Sequence, residues 1–233
     1  MSLLLEALRQ AGLLLVGGDP EIRAILWLSL RVSATATAIA LLLGIPLGAT
    51  LALTRFPGRG LVVSAVNTGM GLPPVVVGLF VSILLWRSGA LGAWELLYTP
   101  TAIVVAQSVI AAPIVTGITL AAVQSVPEPF RLQIVALGAS RLQMVWVVLR
   151  EARLPMLAAV MAGFGGIISE IGASMMVGGN IKGQTRTLTT AMVLETSKGN
   201  FDVALALAVL LLVLIFLVNW ALTTIQQRGA STR

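Results

Sequence analysis

The sequence predicts an all-α integral membrane protein with five transmembrane helices (six is the alternative count) and an N-terminal helix in the membrane interface. Three observations support this fold class. Hydrophobic residues make up 58% of the 233 residues and charged residues 10%, with a mean hydropathy of +0.99. Five apolar stretches are long enough to cross a bilayer, which needs about 20 residues. A polar, basic stretch at residues 124–155 separates the third from the fourth. We expect residues 1–233 to form a single membrane domain.

Composition argues against several classes of function. The chain has no Cys and no His, so it lacks a disulfide framework and the commonest general base and metal ligand. We therefore expect no hydrolytic or redox enzyme, and no metal or cofactor in this chain. The net charge is +6, but the arginines are spread over separate loops, which indicates contact with anionic lipid rather than nucleic acid. A Walker A glycine loop for ATP is absent from the sequence.

The apolar stretches follow one another along the chain. Residues 2–18 are too short to span a bilayer, and we interpret them as an interfacial helix, with a short tilted span as the competing interpretation. The predicted spans are residues 25–53, 61–86, 101–123, 154–177 and 203–224. Span 1 carries small residues at Gly44 and Gly48, with Pro46 expected to loosen one turn between them. We expect the small residues of spans 1 to 4 to form the contact of a homodimer.

Prolines and polar side chains inside the spans mark a candidate path across the membrane. Pro73 and Pro74 lie near the centre of span 2 and remove backbone donors there, which is tolerated only against protein or a water-filled cavity. An ionisable residue inside a span, such as Glu170, is a functional candidate by default. The candidates for the path are Asn67, Pro73, Pro74, Gln107, Pro113, Ser169 and Glu170.

Residues 124–155 predict two short amphipathic helices at the membrane face. Residues 131–137 form the first, which ends at Gly138, because only Gly takes a left-handed backbone at little cost. Ser140 is a good N-cap for the second, residues 141–153, since its hydroxyl accepts from the free amides of the first turn. We interpret Gly138 as the hinge of a lever formed by these two helices.

The same stretch resembles the EAA loop of ABC-importer permeases, through Leu137-Gly138-Ala139-Ser140 and the later Leu154-Pro155. Leu132-Gln133-Ile134 stands where that family has Glu-Ala-Ala. The resemblance implies that residues 124–155, here named the coupling segment, dock on a cytoplasmic ATPase, with the N-terminus outside. Lys and Arg divide almost evenly between the two sides, so charge does not decide the orientation. The implied coupling residues are Arg131, Gln133, Ala136, Leu137, Gly138, Ala139, Ser140, Leu154 and Pro155.

A second polar stretch, residues 169–197, lies between spans 4 and 5. Its glycines allow successive amides to converge into a nest that favours anions, and its Lys, Arg and Thr side chains add charge and donors. A polar hairpin between two spans would need the same residue types, and the chemistry favours neither interpretation. The residues expected to contact an anion, or a binding protein, at the outer mouth are Gly178, Gly179, Asn180, Lys182, Gly183, Thr185, Arg186 and Thr187.

Three further motifs, at residues 70–80, 170–173 and 177–191, resemble the permeases of tungstate and molybdate importers. Residues 194–201 (LETSKGNF) are most similar to the tungstate branch, and the resemblance covers roughly residues 29–224. It implies a dimeric importer-permease bundle of five or six spans in the inner membrane of a prokaryote, with the substrate passing between two copies. It also implies an ABC ATPase, which would bind ATP and Mg²⁺, and an extracytoplasmic oxyanion-binding protein.

An oxyanion path agrees with spans that hold almost no Lys or Arg, because the substrate must bind weakly enough to leave. Since a carboxylate would repel an anion, we favour a structural role for Glu170, paired with a hydroxyl or an Arg, over proton coupling. Molybdate and sulfate permeases share much of the pattern and remain alternatives. A stand-alone secondary transporter or channel usually has internal repeats and charged midplane residues, for which one Glu is little support. A non-transporting membrane scaffold would not need two prolines inside a span.

Overall fold

The computed structural model describes residues 20–231, so the interpretation of residues 2–18 lies outside the described residues. No strand occurs between residues 20 and 231, which confirms the all-α fold class. A short 3-10 turn, Gly92–Trp94, precedes the fourth helix of this region. The α-helices are α1 (Pro20–Leu53), α2 (Arg59–Met70), α3 (Pro74–Leu85), α4 (Pro100–Gln124), α5 (Glu128–Ala136), α6 (Arg141–Glu151), α7 (Arg153–Ile168), α8 (Gly172–Gly178), α9 (Leu188–Ser197) and α10 (Phe201–Ser231).

Three of these helices, α1, α4 and α10, are each long and apolar enough to cross a membrane alone. Two further spans are present if each bent helix pair counts as one. The pairs are α2 with α3, bent by 102°, and α7 with α8, bent by 59°. The described residues therefore contain three to five candidate spans, and the upper number equals the predicted count.

Helix α4 lies at the centre of the bundle, with α1 packed along it in the same direction. A Cβ added to Gly44 would lie 2.7 Å from Val115 Cγ1, and one added to Gly48 would lie 2.6 Å from the carbonyl oxygen of Thr116. The small-residue face of α1 is therefore buried inside the protomer, and the expectation that this face contacts a second copy is wrong. The helix also continues through Pro46 to Leu53 rather than breaking there.

The second half of the chain packs against this pair. Helix α7 runs antiparallel to α4, and a buried apolar cluster joins α1, α3, α4, α7 and α8. A second cluster joins the first half of α1 to α7, α9 and α10. The side chain of Gln226 donates to the carbonyl oxygen of Leu154 at 3.2 Å, which fixes the end of α10 beside the start of α7. The opposite face of α10 exposes Leu212, Phe216 and Trp220, as expected of a lipid-facing helix.

One end of the bundle gathers the turn at residues 54–58, the coupling segment and the end of α10. Arg59 Nε donates to the carbonyl oxygen of Leu51 at 2.7 Å. A cavity of about 710 Å³ at this end is lined by Arg55, Arg59 and Arg131, among other residues. These three segments therefore lie at the same end of the bundle.

Candidate functional site

Two helix breaks interrupt the apolar bundle. The first lies between α2 and α3, where Pro73 is the N-cap of α3 and Pro74 its first residue. Since neither proline has an amide proton, and the residue before a proline avoids the helical conformation, α2 ends at Met70 and the chain turns by 102°. The predicted break in span 2 is confirmed. The second break, between Ile168 and Gly172, was not predicted from the sequence.

The two breaks, residues 71–73 and 169–171, lie near one another and are here named the paired breaks. A Cβ on Gly172 would lie 2.5 Å from Val75 Cγ2, and one on Gly78 would lie 2.7 Å from the Cα of Ala173. Helices α3 and α8 therefore run side by side from the breaks. They pack closely because Gly78 and Gly172 have no side chain at the contact. Irregular backbone at this depth requires a protein or aqueous neighbour, so the paired breaks are candidates for the lining of a path.

Glu170 stabilises the second break. Its Oε1 accepts from the amide of Ala173 at 3.0 Å, so the carboxylate caps the first turn of α8. The hydroxyl of Thr189 donates to the carbonyl oxygen of Glu170 at 3.1 Å, and exposed Ser169 donates to that of Gly165 at 2.9 Å. The Glu170 side chain has a structural contact, as expected, but its partner is a backbone amide rather than a hydroxyl or an Arg. A broken helix leaves unpaired amides, which explains this choice of partner.

Gln107 is buried at the junction of four helices. Its Nε2 donates to the carbonyl oxygen of Ile167 at 3.0 Å and to Ser174 Oγ at 3.5 Å. Its Oε1 accepts from the hydroxyl of Ser33 at 3.1 Å. Since only 3% of the residue is exposed, Gln107 holds α1, α4, α7 and α8 together and does not face an open path in this structure.

Asn67 and Pro113 lie near the first break. Helix α2 buries none of its residues, and Asn67 is exposed on it. A Cβ on Gly69 would lie 2.8 Å from Pro113 Cβ, so the end of α2 rests on the proline of α4. The exposed neutral side chains near the paired breaks include Asn67, Thr68 and Ser169. No Lys or Arg occurs in residues 60–86 or 154–181.

The loop at residues 178–187 uses most of its polar groups internally. Buried Thr185 donates to the carbonyl oxygen of Gly178 and accepts from the amide of Ile181. The amides of residues 184–186 all donate to the carbonyl oxygen of Ile181, and Thr187 forms a capping box with Thr190. The amides of residues 184–186 and the hydroxyls of Thr185 and Thr187 are therefore already hydrogen-bonded within the protein. The alternative interpretation, a polar hairpin that joins two spans directly, is incomplete, because the helix α9 lies between this loop and α10.

The charged residues of this loop are paired. Lys182 Nζ lies 2.6 Å from Glu21 Oε2, and an Arg186 Nη lies 3.3 Å from Glu21 Oε1. Arg186 Nε also donates to Asn180 Oδ1, whose amide nitrogen donates to the carbonyl oxygen of Thr190. Gly179 packs against the ring of Tyr98, whereas Gly183 is exposed. Lys182 remains 68% exposed, so this rim keeps an accessible cation despite the ion pair.

The turn between α9 and α10 contains the LETSKGNF motif. The side chains of Asn200 and Lys198 each donate to Glu195 at 2.7 Å. These two hydrogen bonds, with that from Asn200 the larger contribution, lower the pKa of the Glu195 carboxyl. The motif therefore forms a capped turn at the end of α9.

The coupling segment contains the two predicted helices with shifted bounds. The first begins at Glu128 rather than residue 131, because Pro127 serves as its N-cap and Pro129 lies in the first turn, where no amide donor is needed. Gly138 has a φ of +85°, as predicted, and Ser140 caps α6 through a capping box with Gln143. Helix α6 ends at Glu151, two residues before the predicted end.

The predicted coupling residues divide into exposed and inward-facing groups. Leu137, at the tip before Gly138, is 88% exposed. Gln133, Ala136 and Ser140 are also exposed, and Ala139 is half-buried. Arg131 instead faces the bundle and donates to carbonyl oxygens at the end of α4. Leu154 and Pro155 lie in the first turn of α7, where the Leu154 carbonyl oxygen accepts from Gln226.

Sequence reasoning missed several partners. Ser33 and Ser174 hold Gln107, Thr189 holds the second break, and Glu21 pairs with both cations of the rim. Small hydroxyl residues inside apolar spans were a usable signal for Ser33 and Ser174. Glu21 lies far from residues 182–186 in the sequence, and nothing local connects them.

The family model for the binding-protein-dependent transport system inner membrane component matches residues 44–230 of this chain. The chain belongs to this family. Among its relatives, a probable anion ABC transporter permease of Haloferax volcanii is 43% identical over 196 residues, covering 82% of this chain and 84% of that protein. The tungstate uptake permease TupB of Peptoclostridium acidaminophilum is 38% identical over 227 residues, covering 97% of this chain and all (100%) of that protein.

A solved structure shows the same fold. A chain of the inward-facing MetNI methionine ABC transporter matches with a TM-score of 0.74 at 22% identity, covering 91% of this chain and 98% of that chain. The resemblance to importer permeases is thus confirmed at the level of family and fold. As an inner membrane component of this family, the chain is a multi-pass membrane protein.

Proposed function

We propose that this chain is the membrane-spanning subunit of an ATP-driven ABC importer for an oxyanion, with tungstate as its substrate. The observation that carries this proposal is the meeting of the paired breaks inside an apolar bundle whose nearby segments hold no Lys or Arg. Backbone and neutral groups at such breaks hold an anion weakly enough for it to leave. The full-length similarity to a tungstate permease supports the choice of tungstate.

The path runs between two copies of the chain in this proposal. Helix α2 buries none of its side chains within the protomer, and α3 exposes Val75, Leu79 and Phe80. This face contains the first break and the exposed amide of Asn67. An apolar face with a polar residue beside a helix break suits an interface that also lines a path. The homodimer therefore uses α2 and α3 rather than the buried glycine face of α1.

Two partners complete the transporter. An ABC ATPase, which supplies ATP and Mg²⁺ binding, docks on the exposed side of α5 and the tip at Leu137, where Leu132 and Val135 are also exposed. An extracytoplasmic oxyanion-binding protein meets the rim at residues 178–187. There Lys182, still largely exposed, and Arg186 raise the local oxyanion concentration or help to seat the binding protein.

Reconstitution into proteoliposomes tests the proposal. The chain is assembled with an ABC ATPase and an oxyanion-binding protein from the same organism, and uptake of tungstate, molybdate and sulfate is measured with and without ATP. We expect tungstate uptake only with ATP and both partners. Uptake by the chain alone would refute the importer and favour a channel or secondary transporter. Preference for molybdate or sulfate would reassign the substrate and leave the importer intact.

A further inference from the structure

Arg131 connects the first helix of the coupling segment to the end of the central helix α4. Its Nη2 donates to the carbonyl oxygens of Val126 at 2.8 Å, Val123 at 2.9 Å and Gln124 at 3.4 Å. The last carbonyls of a helix have no intrahelical amide partner and carry partial negative charge. A guanidinium suits this position, because it stays charged and its Nη2 reaches all three carbonyl oxygens.

The orientation of Arg131 differs from that of the other arginines in this segment. Arg131 is partly buried, whereas Arg141 and Arg150 are exposed, and Arg150 stacks on Trp146 with 5.3 Å to the ring centroid. The resemblance placed Arg131 among residues that contact the ATPase. Its hydrogen bonds direct it instead toward α4.

Helix α5 has few other attachments to the bundle. None of its residues is fully buried. Phe130 and Ile134 pack at the edge of an apolar cluster that includes Val123 and Val126. Apolar contacts of this kind allow sliding, whereas charge-assisted hydrogen bonds to carbonyls fix a direction and a register. Arg131 therefore determines where α5 sits on the end of α4.

Helix α4 can carry a displacement from that end to the paired breaks. Sixteen residues separate Val123 from Gln107 along one continuous helix, a length of about 24 Å at 1.5 Å per residue. Gln107 then bonds Ile167, the residue before the last of α7, and Ser174 in the first turn of α8. The second break lies between these two contacts.

We propose that Arg131 is a positioning residue that transmits movement of α5 to α4, and through Gln107 to the second break. This inference rests on the proposed function, because it requires an ATPase that moves α5. It assigns Arg131 to coupling inside the permease and not to the contact with the ATPase.

Arg131→Gln and Arg131→Lys test the proposal in the reconstituted complex, with Arg141→Gln as the matched control. The control removes the same charge from the same segment without touching α4. For Arg131→Gln we expect normal assembly with the ATPase and continued ATP hydrolysis, but about a tenfold lower ratio of substrate transported to ATP hydrolysed. Arg131→Lys keeps the charge but not the planar guanidinium, and its ratio should fall between those of the parent and Arg131→Gln. Arg141→Gln should keep the parental ratio.

A distance measurement tests the same inference without substrate. Because the chain has no Cys, a spin label attaches only to cysteines that are introduced. We choose Ala121→Cys on α4 and Ala136→Cys on α5, both at exposed positions. Labelled chain is diluted with unlabelled chain so that intrachain distances dominate. The distance distribution should be narrow in the parent and broad in Arg131→Gln.

The outcomes are distinct. A parental transport ratio together with a narrow distance distribution in Arg131→Gln overturns the inference. Loss of ATPase assembly in Arg131→Gln overturns it too, because it places Arg131 in the docking contact. Failure of the parental complex to import any oxyanion with ATP would instead refute the proposed function, and the spin-label result would still show whether Arg131 fixes α5 on α4.

Discussion

Gly138→Ala should weaken the coupling of ATP hydrolysis to uptake while leaving the bundle folded. Gly138 has a φ of +85°, and its amide donates to Val135 O while that of Ala139 donates to Ile134 O. This pair of hydrogen bonds is the Schellman arrangement that ends α5 and redirects the chain toward α6. An L side chain in this left-handed conformation is strained, so the variant favours other backbone conformations at the hinge.

The cost can be separated from packing because nothing lies within 4 Å of a Cβ added at Gly138. The whole effect is then backbone strain, about 1–2 kcal/mol. A free energy of that size lowers the population of the observed hinge geometry by roughly five- to thirtyfold relative to its alternatives. It is small beside the stability of a helical bundle, so insertion and assembly should be unaffected.

Gly58 is a matched control for Gly138. It also has a φ of +85°, also has nothing within 4 Å of an added Cβ, and lies in a turn at the same end of the bundle. Gly58→Ala should carry the same strain without altering the coupling segment. The assay is ATP hydrolysis stimulated by loaded binding protein, together with uptake, in proteoliposomes. Equal uptake and equal stimulated hydrolysis in the two variants would refute the hinge assignment.

Three further variants test other parts of the structure. Gln107→Leu should lower the free energy of unfolding by roughly 1–3 kcal/mol, because it leaves the buried hydroxyls of Ser33 and Ser174 without this hydrogen-bond partner; a thermal midpoint in detergent equal to the parent would contradict this. Gly48→Ala should cost about 1–3 kcal/mol through overpacking against the Thr116 carbonyl, whereas Gly60→Ala, with open space at its Cβ, should not; equal midpoints for the two would refute the close packing of α1 on α4. A Lys182→Ala, Arg186→Ala double variant should slow uptake at low ionic strength and approach the parental rate at high salt; a parental rate at all ionic strengths would make this loop only a connector.

Much of the bundle follows from local sequence features. Five apolar stretches correspond to the helices and bent pairs, and Pro73 and Pro74 predict the first break because proline chemistry is local. Gly138 and Ser140 are likewise recognisable, since a left-handed turn and an N-cap each require particular residue types. Helix bounds near prolines were less predictable: the first helix of the coupling segment was expected from residue 131, but it begins at Glu128, because the first turn of a helix accepts Pro129.

The second break was not predictable in the same way. Glycines such as Gly163 and Gly166 in span 4 suit close packing of a continuous helix as well as they suit a break. The break depends on a carboxylate that caps α8 and on a hydroxyl of Thr189 that arrives from later in the chain. These are tertiary contacts, and the sequence around residues 169–171 contains no sign of the second one. The adjacency of the paired breaks is likewise a property of the packed bundle.

The use of hydroxyl groups in this structure bears on how oxyanions are distinguished. Thr185 and Thr187 were candidates for anion contacts, yet both are buried: Thr185 bonds within the loop and Thr187 bonds Thr190 of α9. The oxygen and the nitrogen of the Gln107 side-chain amide are both hydrogen-bonded as well. What remains exposed near the paired breaks includes backbone and the neutral side chains of Asn67, Thr68 and Ser169. Tungstate, molybdate and sulfate are all tetrahedral dianions, and a few neutral donors discriminate poorly among them. We infer that this chain conducts an oxyanion without strongly selecting it, so the choice among the three falls to the binding protein. If exchanging the binding protein for one specific to molybdate leaves the reconstituted importer selective for tungstate, selection instead lies in this chain.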